Sequence, residues 1–228
     1  DPTRSPIAEV IEILGITGNP RAEFNSIIKE FDLRDSFPNA VMEEVEKIKK
    51  PINRAYAKRA DLRDEEIFTI DPEDAKDFDD AVSLKILENK NYLLGVHIAD
   101  VSHYIPENSQ IDLEARRRGT SVYLVDRVIP MIPEKLSNEI CSLQPNQPRF
   151  TLSVFMEFSP SGKLIKYDTK ESIIKSKRRF SYNEVDEIIK TGKGDFADTI
   201  SQMYKLSLIL RQNRFKNGGV DFNTVEYK

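Results

Sequence analysis

The residues that could do chemistry are concentrated in one stretch, Thr69-Ile70-Asp71-Pro72-Glu73-Asp74-Ala75-Lys76-Asp77-Phe78-Asp79-Asp80-Ala81, with five aspartates, one glutamate and a single lysine. Two like charges ~4 Å apart repel by about 4 kcal/mol at an effective dielectric near 20. A fold that gathers these side chains must therefore protonate some of them or bind a cation. Carboxylate oxygens suit the hard ions Mg²⁺, Ca²⁺ and Mn²⁺. A solvated acidic loop is the plain alternative. The flanks weigh against it, because Ile67-Phe68-Thr69-Ile70 and Ala81-Val82-Ser83-Leu84-Lys85-Ile86 both read as strands. That places the acids at strand ends, facing a core.

Known carboxylate motifs narrow the chemistry. An EF-hand loop opened at Asp77 has Asp79 and Glu88 in place, but Ala81 and Val82 stand at its fifth and sixth positions and break it. A D-x-D-x-[TV] phosphotransferase signature fails at Ala81, and the strongest apolar run follows the motif instead of preceding it. A two-metal phosphodiesterase fits better, with one ion activating water and one stabilising the leaving oxygen. The two histidines and one cysteine assemble no Ser-His-Asp or Cys-His system, and no glycine-rich phosphate loop is present.

The elements that must position these acids read as follows. Residues 7–15 alternate apolar and charged side chains, the mark of a half-buried strand. Helices are expected from Asn19-Pro20 to about Leu33, with a stripe of Phe24, Ile27, Ile28 and Phe31, and over residues 39–49, uniting Val41, Val45 and Ile48. Lys47, Lys49, Lys50, Arg54, Lys58, Arg59 and Arg63 form a loose basic stretch. Most such runs are solvated faces, but this one leads into the acids and would steer a substrate with a negative backbone. Residues 92–101 read as a central strand, with His97 as a core histidine. Asp100 and His103 suit either a site or a turn cap. A helix is expected over residues 110–118, closed by Gly119, then a strand over residues 121–125 with Tyr123 as a packing aromatic. Residues 129–137 form a proline-bracketed crossing. Residues 150–158 and 164–177 pair through the turn Ser159-Pro160-Ser161-Gly162. Helices follow over residues 182–190 and 196–216, and residues 220–222 look like the start of a strand. The mixture is α+β or α/β.

Composition sets the outer bounds. The 228 residues, 39% hydrophobic and 32% charged, make one large domain or one domain plus part of another. The formal net charge of −4 does not by itself suggest a nucleic-acid binder, though an acidic centre masks local basic patches. The single Cys141 allows no internal disulfide and fits a reducing compartment. No apolar run spans a membrane and no signal-peptide pattern is seen, so the expectation is a cytoplasmic chain with no membrane attachment; a monomer is expected.

Five ordered blocks then carry a resemblance. They are Thr69-Ile70-Asp71 through Asp77-Phe78-Asp79-Asp80-Ala81; His97-Ile98-Ala99-Asp100-Val101-Ser102; Gly119-Thr120-Ser121-Val122-Tyr123-Leu124; Ile129-Pro130-Met131-Ile132-Pro133; and Leu136-Ser137-Asn138-Glu139-Ile140-Cys141-Ser142-Leu143. Together they resemble the catalytic domain of the ribonuclease II / ribonuclease R family. The Asp-Phe-Asp-Asp form is more similar to ribonuclease R. The resemblance implies an α+β fold, a mixed and largely antiparallel sheet flanked by helices, with a remnant strand of a preceding OB-fold. The implied domains are an OB-fold tail over residues 1–16, a helical linker over 17–60 and the N-terminal part of the catalytic domain over 61–228.

The family's activity is processive 3′→5′ hydrolysis of RNA to nucleoside 5′-monophosphates with Mg²⁺, Mn²⁺ being the alternative ion. Its partner is the 3′ end of single-stranded RNA. By position, the resemblance puts metal binding on Asp71, Asp77, Asp79 and Asp80, with Asp71 and Asp80 the surest ligands. Asp77 and Asp79 complete the site or orient water, and Tyr123 stacks on or positions the 3′-terminal nucleotides, replacing the packing reading. Glu73 and Asp74 have no family role. The family's domain continues beyond Lys228 and its downstream arginine, glutamate and S1 domain are absent here, so the 228-residue piece is expected to be weak or inactive by itself. Two other classes stay open: a non-catalytic RNA-binding or assembly module that keeps the fold, and a Ca²⁺-stabilised structural domain.

Overall fold

The computed structural model describes residues 8–49, 58–125 and 127–221. Strand alternation sorts the apolar residues of the central strands onto two faces of one sheet, and helices cover both. Seven strands run in the order β1 (Ala60–Leu62), β8 (Leu164–Lys175), β7 (Pro148–Phe158), β4 (Tyr92–Ala99), β3 (Asp80–Ile86), β2 (Phe68–Asp71), β9 (Arg178–Ser181). The inner pairs are antiparallel, while β1–β8 and β2–β9 are parallel. A separate two-stranded hairpin joins β5 (Val122–Tyr123) to β6 (Val128–Ile129). The α+β expectation, a mixed and mostly antiparallel sheet with flanking helices, holds.

On one face Ile67, Ala81, Ala99, Phe150 and Ile173 join Val41 and Val45 of α2 (Asn39–Lys47), Ile111 of α3 (Gln110–Arg118), and Leu136, Ile140 and Leu143 around a π-helical turn at Lys135–Ile140. On the other face Phe68 and Phe180 meet Ile188 of α4 (Tyr182–Thr191) and Ile200 of α5 (Ala197–Lys216), and Leu84 and Phe158 meet Leu206. Ile67 and Phe68 are consecutive and fully buried on opposite faces, so the start of β2 is fixed from both sides. Burying each such side chain contributes roughly 1.5–3 kcal/mol.

Local signals explain the helix ends. Ser109 caps α3 by accepting from the Asp112 amide, and Gly119 at φ 73° closes it. Ser181 and Glu184 form a reciprocal capping box at α4, and Gly192 in the left-handed region ends that helix. Among the described residues no helix is long and apolar enough to cross a membrane.

Several expectations are corrected. Residues 8–15 form no strand; Val10 and Ile11 are 82% and 94% exposed, and Ile7 lies outside the described residues. Alternation there has no partner strand to turn it into a ladder among the described residues. α1 (Pro20–Glu30) stops before Leu33, which leaves Phe31 of the expected stripe exposed. α2 stops at Lys47 because Ile48 turns extended. The strand expected over residues 121–125 shrinks to Val122 and Tyr123. The Leu124 amide donates to Arg127 O to close the hairpin, and Val125 is exposed. Val220 and Asp221 carry no strand, and Phe222 lies outside the described residues.

Candidate active site

β2 ends at Asp71 and β3 begins at Asp80, so residues 72–79 loop out from the end of this strand pair. This loop forms one wall of a cleft of about 740 Å³. The facing wall is the β5–β6 hairpin and the proline-bracketed crossing, including Tyr123, Arg127, Pro130, Ile132 and Asn138. Asp71, Asp77 and Asp79 all line the cleft. Phe78 packs against the main core, and in extended chain its two neighbours must point the other way, which turns Asp77 and Asp79 to the cleft. Asp80 is not part of the lining. As the first residue of β3 it shares a face with Val82, which packs on the α4/α5 side.

The loop is tied down on three sides. The buried Ser142 hydroxyl donates to Lys76 O at 2.8 Å and accepts from the Phe78 amide at 3.1 Å, and the Leu143 amide donates to Phe78 O at 2.9 Å. The Ala99 amide donates to Asp79 O at 2.9 Å. At the other end Arg179 of β9 donates to Pro72 O, and its guanidinium lies over the Phe78 ring at 5.6 Å. Arg149, buried beneath the π-helical turn, holds the carbonyls of Ser142, Glu139 and Pro148. Glu73 accepts from Asn183 at the start of α4, 3.0 Å away. It belongs to the loop's scaffold.

Burial raises the pKa of the Asp71 carboxyl, the charges of Asp80 and Asp77 add to the shift, and the Thr69 hydroxyl and Arg179 oppose it. Asp79 keeps an exposed surface, yet partial desolvation and then the charges of Asp77, Asp80 and Asp71 raise its carboxyl. Tyr123 is 70% exposed, yet its phenol is raised by partial burial and by the charges of Asp77 and Asp79, so it faces them as a protonated hydroxyl. Asp71 is 8% exposed, and its Oδ2 is buried with no hydrogen-bond partner. An unmet buried acceptor costs roughly 1–3 kcal/mol, more when charged. A hard-oxygen donor set with one orphaned member fits Mg²⁺ or Mn²⁺ by its chemistry. Among the described residues no three acidic, histidine or cysteine side chains already form a cage, so the site is a set of nearby donors and not a closed polyhedron.

The remaining candidates sort as follows. His97 is fully buried between the hydroxyls of Ser83 at 3.0 Å and Ser153 at 2.7 Å, a satisfied core histidine. Asp100 caps the 3₁₀ turn at Val101–His103 and takes an ion pair at 2.6 Å from Arg59. Arg59 is therefore not part of a solvated basic face: its side chain is 7% exposed and lies over the Phe150 ring. Arg63 pairs with Asp61, while Lys50 and Arg54 lie outside the described residues. Sequence patterns assign no role to Arg127 and Asn138, which line the cleft, or to Ser142 and Arg179, which hold the loop from behind. Ser142 lies inside one of the five blocks, which was the only local signal for it.

The RNB domain family matches residues 59–228, and the cold shock domain family matches residues 1–38. Ribonuclease R of Thermotoga maritima is 45% identical over 236 residues, covering 100% of this chain and 33% of the relative. Mycoplasma genitalium RNase R in complex with ribose-methylated single-stranded RNA aligns at TM-score 0.85 and 31% identity, covering 91% of this chain and 33% of that one. The yeast pseudonuclease Ssd1 shares the fold at TM-score 0.75 and 22% identity, covering 89% of this chain and 26% of its own. The chain spans about a third of the length of the curated ribonucleases R it matches. The matched span contains the whole seven-stranded sheet, the acidic loop and the cleft, and the chain belongs to the RNB domain family, with ribonuclease R among its relatives.

Proposed function

We propose that the intact protein carrying this chain is a processive 3′→5′ exoribonuclease that hydrolyses RNA to nucleoside 5′-monophosphates. The observation that carries this reading is the placement of Asp71, Asp77, Asp79 and Tyr123 around one cleft in an RNB domain. Asp71, Asp77 and Asp79 would hold Mg²⁺, with Mn²⁺ as the alternative, and Asp80, off the cleft lining but with its charge acting on Asp71 and Asp79, would complete the set. When bound, such an ion polarises a phosphoryl oxygen and lowers the pKa of water. Asp77 and Asp79 would orient the attacking water. The exposed Tyr123 ring offers a stacking surface for the last nucleotides of a single strand, and its hydroxyl faces the same acids. The structural relatives in complex with single-stranded and double-stranded RNA support RNA as the ligand class. The setting we propose is a cytoplasmic monomer.

In the full-length protein, Asp79→Asn should abolish 3′-end shortening of a 5′-labelled single-stranded RNA and leave RNA binding nearly intact. Persistent turnover would show that the site is misassigned. The isolated 228-residue chain should be weak or inactive, since it spans about a third of its relatives. Robust Mg²⁺-dependent release by that piece would overturn this part of the reading. The fold shared with a pseudonuclease favours one second reading, a non-catalytic RNA-binding module. That reading predicts RNA binding with no mononucleotide release by the unmodified full-length protein at any Mg²⁺ or Mn²⁺ concentration.

A further inference from the structure

We infer that Ser142 is a positioning residue for the acidic loop: its hydroxyl sets the directions of Asp77 and Asp79 and so tunes divalent-cation affinity without touching ion or RNA. Three observations converge. Ser142 is fully buried, and its one hydroxyl is used twice, donating to Lys76 O and accepting from the Phe78 amide. Those two groups bracket Asp77, so the hydroxyl fixes the peptide planes on either side of that carboxylate. The next residue repeats the grip, with the Leu143 amide on Phe78 O, so that Phe78 is held through both its amide and its carbonyl. Ser142 is itself fixed, because the buried Arg149 guanidinium takes its carbonyl at 2.8 Å.

The loop needs such a grip. Residues 72–79 carry no regular secondary structure, and Asp77, Asp79 and Asp80 crowd like charges into four consecutive residues. Without an external hold, repulsion would spread Asp77 and Asp79 apart. Arg179 holds the loop's other end at Pro72 O and lies over the Phe78 ring, but among the described residues it makes no hydrogen bond to the backbone around Asp77. Among the described residues, Ser142 is the side chain that hydrogen-bonds the backbone on both sides of Asp77. Groups that orient ligands in this way typically change metal affinity by roughly 10–100-fold when removed.

This inference rests on the proposed metal centre, and its test separates the two. Mn²⁺ binding to the full-length protein would be measured by calorimetry without RNA, for wild type, Ser142→Ala and Ser142→Thr. Ser142→Ala should weaken Mn²⁺ binding roughly tenfold or more, with metal-free RNA affinity unchanged. Ser142→Thr, which keeps the hydroxyl, should recover most of the loss. Equal Mn²⁺ affinity in wild type and Ser142→Ala would overturn the role of Ser142 while leaving the metal centre standing. No Mn²⁺ binding by wild type would overturn both. Hydrogen exchange of the unmodified protein is a second reading that needs no variant to fold. The amides of Phe78 and Leu143 should be protected, and free exchange at Phe78 would also overturn the inference.

Discussion

Two buried polar groups lie on the same side of one sheet and are treated in opposite ways. Across β3, β4, β7 and β8, His97 joins the hydroxyls of Ser83 and Ser153, and Ser153, Thr151 and Ser172 continue the chain at 2.5–3.3 Å. Every side chain in that network has a partner. At the end of β2 and on β9, Thr69 Oγ1, Asp71 Oδ2 and Arg179 Nε are buried with no partner at hydrogen-bond geometry, the Thr69 hydroxyl only biasing the Asp71 carboxyl from beyond it, and Thr69 and Arg179 are register partners. Among the described residues only Tyr104 adds to that set. Natural folds rarely leave such groups unmet. The serine–histidine network is architecture, complete by itself. The β2–β9 end is incomplete by itself, as expected where a ligand finishes the coordination.

The largest expected effect tests the incomplete side. Asp71→Asn should lower exonuclease turnover of the full-length protein by roughly a thousandfold, about 4 kcal/mol at 1.36 kcal/mol per tenfold. The same change should raise stability to urea in EDTA by about 1 kcal/mol at neutral pH, because it removes a buried, poorly met charge. The raised pKa of Asp71 makes the folded state hold its proton to higher pH than the unfolded chain. Its contribution to stability is therefore present below the ordinary carboxylate value and lost as pH rises through the shifted one, so the gain from Asn should vanish in acid. A destabilised Asp71→Asn at neutral pH would break the contrast.

Next comes the complete side. Burial lowers the His97 pKa from 6.5 to about 4. Between those values the unfolded chain takes up a proton that the fold refuses. The contribution is thus fully present above pH 6.5 and declines as pH falls toward 4, by roughly 3 kcal/mol. Urea titrations at pH 7 and 4.5 should show that loss in wild type and a much smaller one in His97→Gln. Equal losses would assign the acid sensitivity elsewhere. The smallest effect sharpens the packing argument. A Cβ on Gly95 would collide with Ser83 Oγ and His97 Nε2, so Gly95→Ala should cost about 1–3 kcal/mol in stability. Metal affinity should stay the same, and a change in Mn²⁺ binding would show that the two polar regions are coupled.

Much of this was legible along the chain, for a physical reason. Burial leaves periodicity in sequence, so β2, β3, β4, β7, β8, α3, α4 and α5 appear within a few residues of where the spacing of apolar positions puts them. The capping and turn residues Gly119, Ser181 and Gly162 mark ends through purely local geometry. A like-charged run between two strands is also a local fact. Its need for protons or a cation follows from Coulomb's law, whatever the fold.

What the tertiary structure decided was partnership. Residues 8–15 show the strand pattern but have no neighbour to pair with among the described residues, and alternation without a partner makes no ladder. Tyr123 reads as a packing residue by pattern and faces a cleft because, among the described residues, β5 pairs only with β6. Asp80 reads like its acidic neighbours, yet the pleat of β3 takes it off the cleft lining. Ser142 and Arg179 reach the acidic loop from 64 and 107 residues away along the chain. Spacing along the chain records which faces are buried and where charges collect. It carries no record of which distant hydroxyl, amide or guanidinium meets them, because that is set only when separate strands and turns are packed together.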